Sequence, residues 1–205
     1  MSYFKKKYVD ESRFISYFTQ IDLATSATHQ GGTVLEVGVG NGTVSDFLRK
    51  LGFRLTTCDI DSALTPDVVA DVRSLPFSER AFDTVMACEI LEHLPFEDFE
   101  RALRELERVA KSAVIISLPY RSSSIEIVLK FPLIRSLFKR PWLDFFLRIP
   151  LSFSSSSSKQ HHWEIDRARF PLRRIRESIR RQFQIEREVR PVLQSYHYFF
   201  VLRRH

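Results

Sequence analysis

Thr33-Val34-Leu35-Glu36-Val37-Gly38-Val39-Gly40-Asn41-Gly42 joins a short apolar run to three alternating glycines. Such a run bounded by a glycine turn reads as a buried strand that leads into a helix. The glycines let the backbone take left-handed angles and come close to a ligand. The spacing is GxGxG, and Thr43 and Ser45 follow where a dinucleotide fingerprint would still need a glycine. Glu36 stands two residues before the first glycine. A carboxylate there repels a pyrophosphate and suits a ligand with a cationic group.

Acids end the next apolar runs as well. Residues 53–59 form a β-branched run closing on Asp59, 17 residues after Gly42, where an acid can hydrogen-bond both hydroxyls of a ribose. Residues 67–71 read as a short third strand ending in Asp71, and residues 81–88 as a fourth followed by Glu89. Glu36, Asp59, Asp71 and Glu89 would then open on the carboxyl edge of one parallel sheet, where open α/β sheets bind ligands.

Residues 10–28 read as an amphipathic helix with Phe14, Ile15, Phe18, Ile21 and Leu23 on its apolar side. A helix at 43–51 follows the glycine turn. Pro95 opens another at roughly 96–111, with acids in its first turn and Arg108 and Lys111 in its last, as the helix dipole favours. Strand five is expected at 113–118, a helix from Pro171 to about Gln182, and a closing hairpin from 183–189 and 196–202.

VLEVGVGNG, CDID, ADVRSLPF, FDTVMACEILEHL and VIISLPY, in that order, resemble the class I S-adenosylmethionine-dependent methyltransferases, in the small branch with a short connection between strands two and three. The resemblance is strong over roughly 30–120 and weaker in HWEI and YHYFFVL of the tail. It implies an α/β fold: a doubly wound, Rossmann-like, seven-stranded, mostly parallel sheet of order 3-2-1-4-5-7-6 with the last strand antiparallel. The chain is expected to be a single domain over 1–205, with an N-terminal helical segment at 1–30 and an insertion at 121–160. The segment between Asp61 and Asp71 is too short for the usual helix and leaves room for one turn at most.

The resemblance also assigns roles, with S-adenosyl-L-methionine as cofactor. Glu36 would hold its amino group. Gly38, Gly40 and Gly42 would admit the methionine part and ribose, and Asp59 would take the ribose hydroxyls. Asp71, with the backbone of Val72, would reach the adenine amino group, and Ile60 or Leu75 would cover the adenine face. Glu89 and His93, in EILEH, would border the transferring methyl, with His93 a candidate general base because imidazole titrates near neutrality or, alternatively, a loop-ordering group. Tyr120, His162 and Trp163 are candidate acceptor contacts, with Arg121 and His197 behind them. His161, His162, Trp163 and Glu164 do not by themselves make a converging ligand set, so no metal is expected.

The formal net charge of +6 is unevenly spread. Residues 1–120 hold 13 basic and 18 acidic residues, and 121–205 hold 18 and 7. The basic half is a solvated arginine-rich face or a surface for an anionic acceptor or membrane. In residues 121–160 aromatic and aliphatic residues alternate with Lys130, Arg135, Lys139, Arg140 and Arg148, and Ser154–Ser158 form a serine run. This segment is expected to be a helical insertion after strand five: a lid, a core hairpin, or a peripheral membrane contact through 125–153.

The start has no apolar signal region, and no uncharged apolar run approaches the ~20 residues of a membrane span. In the expected sheet order Cys58 and Cys88 are separated by strand one, too far apart to bridge. A cytoplasmic protein, at most peripheral to the inner membrane surface, is therefore expected. The leading reading is a methyltransferase for a small, amphiphilic or lipid- or sugar-linked acceptor. A nucleic-acid methyltransferase is less favoured, since Cys88-Glu89-Ile90-Leu91 stands where flipped-base amino methylation commonly uses an Asn/Asp-Pro-Pro-aromatic loop. A non-catalytic interaction module is the remaining alternative.

Overall fold

The computed structural model describes residues 10–121, 123–130, 143–149, 161–166 and 169–205. In chain order these hold α1 (Glu11–Ala27), β1 (Thr33–Val37), α2 (Thr43–Lys50), β2 (Arg54–Asp59), β3 (Val68–Val69), β4 (Phe82–Cys88), α3 (Phe96–Val109), β5 (Ala110–Pro119), β6 (Ser123–Leu129), β7 (Leu143–Ile149), α4 (Leu172–Arg180), β8 (Phe183–Val189) and β9 (His197–Arg204). The serine run and most of the basic residues of the insertion lie outside the described residues.

Seven strands form one sheet of order β3-β2-β1-β4-β5-β9-β8. The first five run parallel, β9 is antiparallel to β5, and β8 is antiparallel to β9. With β6 and β7 set aside as a separate pair, this is the expected 3-2-1-4-5-7-6. β1, β4 and β5 carry consecutive buried apolar residues (Val34 and Leu35; Val85, Met86 and Ala87; Ala113, Val114, Ile115 and Ile116) because both faces of a central parallel strand are covered. One face packs α3 and α4 around Leu103, Leu106, Ile175 and Ile179. The other packs α1 and α2 around Leu23, Ala24, Val44 and Leu48. The connection between β2 and β3 is a single 3₁₀ turn, Ser62–Leu64, whose N-cap Asp61 accepts a hydrogen bond from the amide of Ala63.

Two expectations are overturned. The insertion after β5 is not helical where it is described: β6 and β7 form a two-stranded antiparallel sheet pairing Ile125 with Leu147 and Ile127 with Phe145. Period-two alternation of β-branched and aromatic residues outweighs the helical reading here. The apolar side of α1 is also different. Phe14 and Phe18 are 54% and 70% exposed, whereas Ser16, Tyr17, Thr19, Gln20, Leu23 and Ala24 are buried. The helix turns its mixed polar face inward because that face closes a cavity as well as a core. Cys58 and Cys88 are free thiols, as expected. No helix among the described residues is long and apolar enough to cross a membrane.

Candidate functional site

A cavity of about 700 Å³ opens at the carboxyl edge of the sheet. Its first wall is local in sequence. Gly38 and Gly40 have φ of +87° and +55°. A Cβ on Gly38 would collide with the side chain of Ile90, so the loop after β4 can close on this turn only over glycine. A Cβ on Gly40 would meet nothing within 4 Å, so its bare face is turned to open space. Gly42, at φ +76°, is the N-cap of α2 and does not line the cavity.

Asp59 locks this wall together. Its Oδ2 accepts from the amide of Val39 at 2.9 Å and its Oδ1 from the amide of Asp61 at 2.9 Å. Ile60, Asp61, Asp71 and Val72 complete the strand-two and strand-three side. Asp71 is held by Arg73 through a contact of 2.6 Å, and Arg73 also reaches Asp98 at 2.7 Å. The Arg73 hydrogen bonds draw the Asp71 carboxyl below the usual carboxylate range.

Glu36 is 5% exposed, and its Oε2 has no hydrogen-bond partner among the described residues. Burial pushes its carboxyl up to about 8, with a hydrogen bond to Ser45 as the main opposing influence. An uncompensated carboxylate inside a cavity is costly unless a cation or donor meets it.

The second wall gathers distant segments. Glu89 follows β4 with φ of +59°, a sparsely populated backbone region for a non-glycine residue. Its carboxylate accepts from Arg13 at 2.8 Å and Ser16 at 3.1 Å, which ties the loop to α1. His197 Nδ1 lies 3.4 Å away, and burial lowers the pKa of that imidazole. Beyond Glu89 a 3₁₀ turn, Leu91–His93, presents Glu92 and His93 to the cavity. Burial holds the Glu92 carboxyl well above its usual range. The amide of His162 donates to the carbonyl of Glu92 at 2.9 Å, which brings His161 beside His93 with ring centroids 5.0 Å apart. His161 Nδ1 lies 3.0 Å from Glu164 Oε1, which also accepts from the Tyr196 hydroxyl at 3.2 Å.

Of the expected site residues, Glu36, Gly38, Gly40, Asp59, Ile60, Asp71, Val72, Glu89 and His93 line the cavity. Gly42, Leu75, Tyr120, His162 and Trp163 do not. Trp163 is buried against Phe96, Phe99 and Phe170, with its indole N–H donating to the carbonyl of Leu94. Tyr120 is buried against Tyr198 and bridges to Ile165. His162 is exposed and contributes its backbone. None of the described residues of β6 and β7 lines the cavity, and the rest of the insertion expected as a lid lies outside the described residues.

Sequence reasoning missed Arg13, Tyr17, Gln20, Asn41 and Tyr196 as lining residues. Polar positions at i, i+4 and i+7 on α1 were the available signal, and the apolar pattern of Phe14 and Phe18 masked it.

Residues 35–118 match the family model described as a methyltransferase domain. Over 110 residues the chain is 29% identical to demethylmenaquinone methyltransferase of Thermobifida fusca, which covers 46% of this chain and 46% of that protein. The match thus spans about half the length of the curated relative. Among solved structures, magnesium protoporphyrin IX methyltransferase of Synechocystis PCC 6803 with bound SAH superposes with a TM-score of 0.64 at 15% identity, covering 95% of this chain and 84% of that one. A SAM-dependent methyltransferase of Aquifex aeolicus gives 0.63 at 14% identity over 98% and 96%. A protein of Pyrococcus horikoshii OT3 gives 0.63 at 17% identity over 100% and 94%. At these identities the likeness to the solved structures is one of fold.

Proposed function

We propose, from the premise that the chain belongs to the class I S-adenosylmethionine-dependent methyltransferase family, that it transfers a methyl group from S-adenosyl-L-methionine to a small amphiphilic acceptor. The observation that carries the cofactor assignment is the orphaned Glu36 Oε2, buried at the head of the glycine turns. A sulfonium amino acid linked to a nucleoside offers the cationic amino group that this carboxylate lacks.

The other residues fit the same group. The bare face at Gly40 admits close approach of a ligand to the backbone. Asp59 spends one lone pair of each oxygen on the Val39 and Asp61 amides and keeps further acceptor capacity for ribose hydroxyls. Ile60, exposed at the cavity rim, offers an apolar face for the base, and Asp71 with Val72 lies at the adjoining strand end. Bound S-adenosylmethionine supplies a methyl already activated by its sulfonium. What the protein adds is proximity and orientation. The Arg13–Glu89 pair and Tyr17 close α1 over the cavity, and His93 and His161 stand on the wall left for the acceptor.

The acceptor class rests on the surface beside that wall. Ile125, Ile127, Leu129, Phe145 and Leu147 form an exposed apolar face on the β6–β7 pair. Glu126 accepts from the amide of Leu193, itself exposed, and Arg190 covers the ring of Phe146 at 3.1 Å. These contacts anchor the apolar face to the segment that leads into Tyr196 and His197 of the cavity. An acceptor with a polar head and an apolar tail would seat its head in the cavity and its tail on this face.

Calorimetric titration with S-adenosylmethionine, S-adenosylhomocysteine and NAD tests the cofactor. Micromolar binding of the first two and none of NAD is expected, and absence of binding would sink the enzyme reading. An acceptor screen beginning with amphiphilic anions follows. The pair Ile127→Ser/Leu147→Ser is expected to lower kcat/KM for a long-chain acceptor at least tenfold and to spare its tail-less analogue; equal loss on both would reject the tail surface.

A further inference from the structure

From the convergence of Glu92, His93 and His161 we infer that the second wall of the cavity is a binding site for a borderline-soft divalent transition metal, of the zinc type. One potential ligand atom from each of these residues lies within 4.8 Å of the other two. Ligands of a tetrahedral ion with bonds of ~2.1 Å lie ~3.4 Å apart, so binding asks each pair to close by at most ~1.4 Å. All three line the cavity.

Glu92 is 1% exposed, and its Oε2 has no hydrogen-bond partner among the described residues. A buried oxygen of this kind needs a donor or a cation. His161 carries the outer partner that metal-bound imidazoles characteristically have: its Nδ1 is 3.0 Å from Glu164 Oε1. With Nδ1 donating to that carboxylate, Nε2 is left with its lone pair for a ligand bond. Glu164 is itself buried and fixed, accepting from Tyr196 and lying 3.5 Å from Arg121. The His162 amide to Glu92 carbonyl bond at 2.9 Å pins the two ligand-bearing segments together.

Two imidazoles and one carboxylate suit Zn²⁺, Fe²⁺, Co²⁺ or Ni²⁺, whereas Mg²⁺ prefers an all-oxygen shell. Three protein ligands leave at least one position open, as in catalytic rather than structural zinc sites. All three residues line the cavity, so an open position would be reached from it. Resting on the methyltransferase reading, the open position would anchor an oxygen donor of the acceptor's polar head, which fits an acceptor that is anionic at one end.

The test uses the full chain, stripped with a chelator and titrated with Zn²⁺, with Mg²⁺ as control, while S-adenosylhomocysteine is titrated in parallel. One equivalent of zinc at micromolar affinity or tighter, and none of Mg²⁺, is expected. Co²⁺ should give the visible bands of a low-coordinate site. The pair His93→Gln/His161→Gln should lose at least a hundredfold in zinc affinity, and Glu164→Gln roughly 10–100-fold. Glu92→Gln should behave like the histidine pair, which decides the matter if the buried substitution prevents folding. No zinc, or zinc retained equally by the histidine pair, overturns the site. Cofactor product bound without zinc would leave the methyltransferase reading standing and remove the metal. Zinc without the cofactor product would keep the metal and remove its role in acceptor binding.

Discussion

The two walls of the cavity are built in opposite ways. The first, from Glu36 through Val72, is a set of strand ends and turns close in sequence, and its key contacts are backbone amides on one carboxylate, Asp59. The second joins α1, the loop after β4, the 161–164 segment and the start of β9 through side-chain contacts such as Arg13–Glu89 and Tyr196–Glu164. A wall of the first kind follows from local backbone chemistry and fixes a constant ligand. A wall of the second kind can change residue by residue without disturbing the sheet, which suits the part of a site that selects an acceptor.

The largest expected effect tests whether Trp163 belongs to the second wall or to the core beneath it. Its indole is buried among Phe96, Phe99 and Phe170. Trp163→Ala should cost roughly 3–5 kcal/mol in denaturant unfolding. Trp163→Phe should cost much less and leave acceptor KM unchanged. A changed KM with unchanged stability would return Trp163 to the acceptor contacts that its sequence neighbourhood suggested.

Gly40→Arg strikes the first wall. The left-handed φ of +55° makes any side chain there strained by about 1–2 kcal/mol. The added chain would occupy the open space at the turn. S-adenosylhomocysteine affinity should fall at least a hundredfold, about 3 kcal/mol, while circular dichroism keeps the native spectrum. Retained binding would break the assignment of this wall to the cofactor.

Glu36 gives the comparison a pH axis. Its carboxyl is raised from 4.5 to about 8 in the folded protein. The folded state then holds a proton that the unfolded state releases, so stability falls as pH rises from 4.5 to about 8 and levels off above. A cationic amino group binds best to the ionised carboxylate, so affinity for S-adenosylhomocysteine should rise between pH 6 and 8. Glu36→Gln should flatten both profiles and lower affinity at pH 8 by about tenfold, roughly 1.4 kcal/mol. Unfolding curves and calorimetry across this range check the two signs separately.

The uneven legibility of the two walls has a physical basis. The first could be read from sequence because its strand ends announce themselves: apolar runs closing on Glu36, Asp59 and Asp71, with alternating glycines after the first. Sheet order came from the family resemblance that those blocks carry. The second could not, because EILEH and HHWE each carry too few polar groups to define a site alone. Their meeting is made by long-range contacts, the His162 amide to the Glu92 carbonyl and the Trp163 indole to the Leu94 carbonyl among them. The same dependence on tertiary context misdirected three readings. Trp163 was drawn into the aromatic core. Residues 123–129 and 143–149 took the period-two pattern of strands. Tyr120 was covered by Tyr198.

The smallest expected effect concerns the helix that roofs both walls. A sequence periodicity that puts Phe14 and Phe18 on the buried side of α1 would make Phe18→Ser a core truncation. The structure leaves Phe18 70% exposed and buries Tyr17 and Gln20 instead. Phe18→Ser should therefore change unfolding free energy by no more than about 0.5 kcal/mol, the range of ordinary surface substitutions. Tyr17→Ala on the inward face should weaken S-adenosylhomocysteine binding, since Tyr17 lines the cavity and Phe18 does not. If Phe18→Ser instead cost several kcal/mol, α1 would have to be rotated on the sheet. Arg13, Tyr17 and Gln20 would then leave the cavity together, because one helix face carries all three. The second wall would lose its link to the N-terminal segment, and the first would keep Asp59, Gly38 and Gly40 intact.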